Sequence, residues 1–343
     1  LAITYHAGRR IQGTSTDATA VSGGWKELAR TTLGSDGATI SVTGLADKRY
    51  YMILIDSLNS GVVGHFGRLN GDSGGNYSRR RSEDGGSEQT NVNNVAMNYF
   101  GQDVSDGHAF TVGYLANKSD KEKLSITHSV WGNTAGAGNA PHRMEDFGKW
   151  NNTTDPISSY QVVNLANSNN FASGAECVVL GYDPDDTHTT NFWEELASVS
   201  ADGSSSTLSS GTITAKKYLW LQFYSDNMGS GKIRFNSDTG SNYSRRYSAN
   251  GGSDVTSTSL GYLPIGYTTT AILHNIFIVN NSANEKLCII HDSERNTAGA
   301  GNAPYRMEEV GKWSNTSSQI TQIDLTQNSN FASSSVLKIW GSD

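Results

Sequence analysis

Residues 133–153 read NTAGAGNAPHRMEDFGKWNNT, and residues 296–316 read NTAGAGNAPYRMEEVGKWSNT. Seventeen of the 21 positions are identical, and three of the four differences keep chemical likeness: His142/Tyr305, Asp146/Glu309 and Asn151/Ser314. An offset of 163 residues is far longer than a solenoid repeat, so the chain reads as a duplicated domain. The duplication extends outward from this stretch. Trp25–Ala29 (WKELA) matches Trp193–Ala197 (WEELA), and Asp72–Arg80 (DSGGNYSRR) matches Asp238–Arg246 (DTGSNYSRR). The offset falls from 168 to 166, 163 and 160 along the chain while the apolar runs persist. That is the pattern of loops losing residues between packed strands. We expect an N-terminal arm at 1–24, a first domain at 25–183, a linker at 184–192 and a second domain at 193–343.

A chain of 343 residues is long enough for two domains with real cores. Charged residues make up only 17% of it, and Gly, Ser, Asn and Thr are abundant, which suits a turn-rich β protein. The net charge of −7 argues against a nucleic-acid partner. The basic cluster Arg79-Arg80-Arg81 is followed at once by Glu83 and Asp84. No apolar run is long enough for a transmembrane helix, so no membrane partner is expected. Cys177 and Cys288 align with Leu337 and Ser125 in the other copy. A disulfide or metal site would have been duplicated, so both read as small core residues.

Tyr50–Ile55 and Tyr218–Tyr224 are short, β-prone and apolar on both faces, as central strands of a sandwich are. Phe110, Val112 and Tyr114 alternate with smaller residues. Leu124, Ile126, His128 and Val130 share one strand face, and Leu287, Ile289 and His291 match the first three. The fold class expected is all-β: two tandem antiparallel β-sandwiches of jelly-roll type, with about eight strands each.

Two motifs invite a functional reading. Asn70–Asn76 and Asn236–Asn242 place Asp72, Asn76, Asp238 and Asn242 in Gly-containing loops, like ligands of a calcium site. Each loop has one carboxylate and no bidentate Glu, so a plain hairpin is preferred, with calcium as the alternative and no other cofactor expected. The second motif is the long duplicated stretch. Asn133, Gly136 and Gly138, with Asn296, Gly299 and Gly301, belong to ordered loops whose glycines allow positive φ or close approach. Arg143 and Glu145 are two apart, so on a strand they form a lateral ion pair, repeated by Arg306 and Glu308. Trp150 and Trp313 either pack beneath the loop or stack on a sugar. The structural reading of this stretch is preferred over a ligand surface. No hydrolase, zinc or redox motif is present, and no enzyme activity is expected. The pairs His108/His274 and His128/His291 read as duplicated structural histidines.

These segments together resemble modules of virion structural proteins of tailed phages and related marine viruses. The residues that carry the resemblance are WxELA, NxDxGxNYSRR, NTAGAGNAPxRxExxGKW and the terminal NFAS strand. The opening Ile3–Ile11 (ITYHAGRRI) also resembles the start of a phage structural chain. The resemblance implies a concanavalin-like or jelly-roll domain on a virion surface, with no catalytic residue. Two functions follow. One is a capsid, decoration or tail-appendage subunit that partners with itself and other virion proteins. The other is a secreted carbohydrate-binding or adhesive module, with host-surface glycans as partners. The arm, with Ile3, Tyr5 and Ile11, is expected to contact another subunit or the domain edge, by adding a strand to an open sheet edge.

Overall fold

The computed structural model describes residues 21–22, 24–103, 107–132, 134–166, 168–188, 190–266 and 270–343. Asn133 and nearly all of the expected arm lie outside the described residues. The chain is two tandem antiparallel β-sandwiches of the same topology. In the first, the large sheet runs edge to edge through Lys26–Thr32, Glu176–Tyr182, Tyr50–Leu58, His108–Ala116, Lys123–Trp131, His142–Trp150, Tyr77–Glu83 and Gln89–Asn94. The small sheet is Thr39–Thr43, Ser159–Asn164, Val63–Leu69 and Asn98–Asp103. The second half repeats both orders, its large sheet running from Glu194–Ser200 to Val255–Leu260. The described residues thus form twelve strands per sandwich, not about eight. The extra strands are short or polar edges, such as Thr207–Ser209 and Gln89–Asn94, where no apolar alternation marks them.

Alternation explains how each large sheet buries both faces. Tyr51, Ile53 and Ile55 point inward and pack with Val42, Leu69, Tyr160 and Val162 of the small sheet. Met52 and Leu54, on the same strand, point outward. They join Phe110, Val112, Val130, Val178 and Leu180 in a third core, whose other wall is Tyr218, Phe277, Val279, Leu287, Ile289 and Val310 of the second half. The two large sheets therefore pack against each other over part of their outer faces. Phe192 and Trp193, just before the strand Glu194–Ser200, are buried in the same core. Both cysteines are buried and free.

A buried ionic group fixes this contact. Asp56 is fully buried and accepts a hydrogen bond from His108 Nε2 at 2.9 Å. Lys217 Nζ, from the second half, lies 3.0 Å from Asp56 and 3.1 Å from Glu176. Burial pushes the Asp56 carboxyl up, but His108 and Lys217 outweigh it and bring it down to about 2.

Strand register corrects one pairing drawn from sequence. Thr111 lies opposite Ile55, and His274 opposite Phe223, so His274 is the counterpart of Thr111 rather than of His108. A buried Thr111–Ser129 hydroxyl pair in one half is replaced by a buried His274–Asp292 pair in the other. His128 and His291 are true counterparts, each on the strand after its hairpin.

Candidate functional site

The two sequence motifs are joined by a hydrogen bond. Trp150 is 1% exposed, and its indole Nε1 donates to Asp72 Oδ2 at 2.7 Å. Trp313 does the same to Asp238 Oδ2, also at 2.7 Å. Asp72 further accepts from the Gly74 N–H at 2.8 Å and the Asn76 amide at 2.9 Å. Gly240 and Asn242 serve Asp238 in the same way, each at 2.8 Å. Each carboxylate is thus turned toward donors of its own hairpin and the tryptophan beneath it. Burial raises the two carboxyl groups, but these donors, the indoles first, outweigh it and hold both below the usual carboxylate range.

Trp150 does not lie under the Gly-rich loop, as the sequence suggested. The loop precedes His142 and Trp150 ends the same strand, so the nine-residue strand separates them. Strand rise of ~3.3 Å per residue puts them at opposite ends of the sheet.

The first Gly-rich loop instead bridges the halves. Thr134 C=O accepts from Lys312 Nζ at 2.9 Å, and the Gly136 N–H donates to Glu285 Oε1 at 2.7 Å. Ala137 C=O accepts from the Ser259 N–H at 2.7 Å. Asn139 C=O accepts from Ser244 Oγ at 2.9 Å, and Pro141 C=O from Arg246 Nε at 2.8 Å. Every acceptor or donor on the far side belongs to the second half. The second loop, from Thr297 to Pro304, is exposed throughout. Gly136 and Gly299 hold φ of +89° and +97°, the left-handed region that favours glycine. Gly138 and Gly301 have neither positive φ nor a close neighbour, which corrects the expectation that all four are constrained.

Beside the loop, Arg143 and Glu145 form the lateral ion pair on one strand face. Arg143 is 3% exposed and also reaches Asp254 of the second half at 2.7 Å and Glu308 at 3.5 Å. Arg306 pairs with Glu308 at 2.9 Å but stays exposed. Arg143, Glu145, Arg306 and Glu308, with His128, line a cleft of about 330 Å³ between the halves. Burial, with Glu308 nearby, raises Glu145 to about 7 despite Arg143.

Glu285, Lys312, Ser244, Arg246, Ser259 and Asp254 were not singled out from sequence. A signal was present for four of them: Glu285 and Lys312 match Glu122 and Lys149 at the 163-residue offset, and Ser244 and Arg246 match Ser78 and Arg80 at 166.

No family model and no curated protein matches the chain. Among solved structures it is similar to domains LG4-5 of the mouse laminin alpha1 chain, at 10% identity and a TM-score of 0.20 over 98% of this chain and 93% of that one. A Pseudomonas aeruginosa FadL homologue is similar at 9% identity and a TM-score of 0.12, over 87% of this chain and 91% of that one. Likenesses this slight carry no argument, and the fold rests on the sheets themselves.

Proposed function

We propose that the chain is a non-enzymatic virion structural protein, a capsid, decoration or tail-appendage subunit that works by assembly. One observation carries the reading: the best-preserved segment of the duplication is used, in its first copy, as a docking element between sandwiches. The preserved tryptophans are buried and bonded to Asp72 and Asp238, which removes them as sugar platforms. The partners proposed are further copies and other virion proteins, and the location is the particle. Immunogold imaging of purified native particles tests this. Labelled particles are expected, and finding the chain only as free secreted protein would overturn the reading.

A second reading, carbohydrate binding, is favoured by a different feature. Trp25, Tyr50, Tyr114 and Tyr182 line a cleft of about 460 Å³ on the outer face of the first large sheet. Tyr50 and Tyr182 stack at 6.3 Å, and Trp25 lies 5.8 Å from Tyr182. Aromatic faces of this kind suit a sugar ring. A glycan array with the parent and Trp25→Ala decides it: a specific hit lost in the variant supports the lectin reading, and no hit removes it.

A further inference from the structure

We propose that the second Gly-rich loop, Thr297–Pro304, is a knob that docks on a second copy of this chain, in the groove bordered by Ser78, Arg80 and Lys149 of the first sandwich. The proposal deepens the assembly reading, on which it rests, by naming the partner and the surface.

The contact inside the chain is the template. Residues 133–141 and 296–304 are identical in sequence, yet among the described residues only the first loop is docked. The second holds the same shape without a partner. Asn139 N–H bonds Gly136 C=O at 3.3 Å, and Asn302 N–H bonds Gly299 C=O at 3.2 Å. The side-chain amides of Asn139 and Asn302 bond Ala135 and Ala298 at 3.1 and 3.0 Å. A knob already in its bound shape loses little entropy on docking.

The socket is duplicated as well. Lys312, Glu285, Ser244 and Arg246 receive the first loop, and their counterparts Lys149, Glu122, Ser78 and Arg80 are the same residue types. Ser259, which donates its backbone N–H, corresponds to Asn93, and the two share a left-handed φ of +51° and +53°. The ion pair that receives the loop is formed in both copies, Lys312–Glu285 at 3.1 Å and Lys149–Glu122 at 3.0 Å. Under the docked loop Lys312 is 0% exposed, while the Lys149 side chain is 47% exposed.

The apolar surface around the socket has the same history. Leu287, Ile289 and Val310 are covered by the first half, whereas their counterparts Leu124, Ile126 and Phe147 are 55%, 44% and 48% exposed. With Val92 they line a groove of about 520 Å³ that runs to Ser78, Arg80 and Lys149. The contact within the chain is therefore not reciprocal: among the described residues it uses one knob and one socket and leaves one of each free. Repeating it between copies gives a heterologous, head-to-tail array, either an open filament or a ring. The second half would offer Trp220, Leu273 and Trp340 interspersed with Gln222, Asn275 and Lys338 to that contact. This mixed face makes the contact between copies weaker than the one within the chain, so association depends on concentration.

Sedimentation velocity of the full chain over a wide concentration range tests this, with Ala300→Glu to block the knob and Lys149→Glu to disable the socket. Both positions are exposed in the single chain, so melting should stay near that of the parent. The parent is expected to grow with concentration, and each variant alone to remain monomeric. An equimolar mixture of the two variants should stop at dimers, because one supplies the only working socket and the other the only working knob. A parent that stays monomeric throughout overturns the proposal. So do variants that assemble like the parent, although that result leaves the wider assembly reading standing. Absence of the chain from native particles ends that wider reading without altering the self-association result.

Discussion

Nε2 of His291 lies 3.1 Å from Nδ1 of His128, so two residues that are counterparts in the duplication meet across the contact between the sandwiches. Their rings stand edge to face with centroids 4.3 Å apart. Glu145 lies opposite His128 and Glu308 opposite His291 on the neighbouring strands, and Arg143 acts on both rings. Burial lowers both imidazoles from their ordinary 6.5; the neighbouring histidine and Arg143 lower His128 further, while Asp292 and Glu308 partly offset the effect at His291. One nitrogen can donate to the other only while a ring stays neutral.

That arrangement sets a pH dependence. The unfolded histidines take up protons as pH falls below 6.5, and the buried ones do so only at lower pH. The unfolded state then binds more protons, so stability is lost as pH falls through that window. Denaturant melts from neutral to mildly acid pH should show the loss, and His128→Gln should reduce it. An unchanged slope in the variant would contradict the assignment.

Glu309 works in the opposite direction. It is buried between the sheets with Arg245 Nη1 at 3.0 Å, and burial raises it to about 8 despite that cation. The folded state keeps this proton when the unfolded one has lost it. Stability from this group is therefore lost as pH rises from the ordinary 4.5 toward about 8. Glu309→Gln should flatten that limb of the melting-temperature profile. A parent and variant that run parallel would refute the claim.

The Trp150–Asp72 bond predicts a graded series. Trp150→Phe keeps one aromatic ring in the site and removes the donor, at a cost of about 1–3 kcal/mol. Trp150→Ala also opens a cavity, and about 3–5 kcal/mol is expected. Urea titrations of both variants measure the two steps. A Trp150→Phe variant as stable as the parent would mean that the indole N–H contributes nothing.

Backbone strain separates two glycines of one loop. Gly136→Val forces a β-branched residue to positive φ and should cost about 1–3 kcal/mol. Gly138→Ala meets open space at ordinary φ and should be neutral or slightly stabilising. Thermal melts that rank the two in reverse would show that φ is not the constraint.

Much of the fold was legible because burial on two faces leaves a run such as Tyr50–Ile55 with no polar position, and because duplication repeats it at Tyr218. The polar edge strands were not legible, since Gln89–Asn94 buries too little to impose alternation. The site was legible as residues but not as an arrangement. The Arg143–Glu145 pair follows from period-two spacing, whereas the length of the intervening strand places Trp150 beside Asp72 rather than beneath Gly136. Nor does sequence separate Leu124 from Leu287: the two sit in matching strands, and only the contact between sandwiches exposes one and buries the other.

Two loops of identical sequence have different roles, and amide hydrogen exchange on the dilute chain reads that difference directly. The Gly136 amide in segment 134–141 should exchange slowly, because its N–H donates to Glu285 in a loop pinned at Thr134 and Ala137 by Lys312 and Ser259, and the Gly299 amide in segment 297–304 should exchange fast. Raising the concentration should slow the second segment and leave the first unchanged. Equal exchange of the two loops in dilute chain would contradict the claim that the first one is docked.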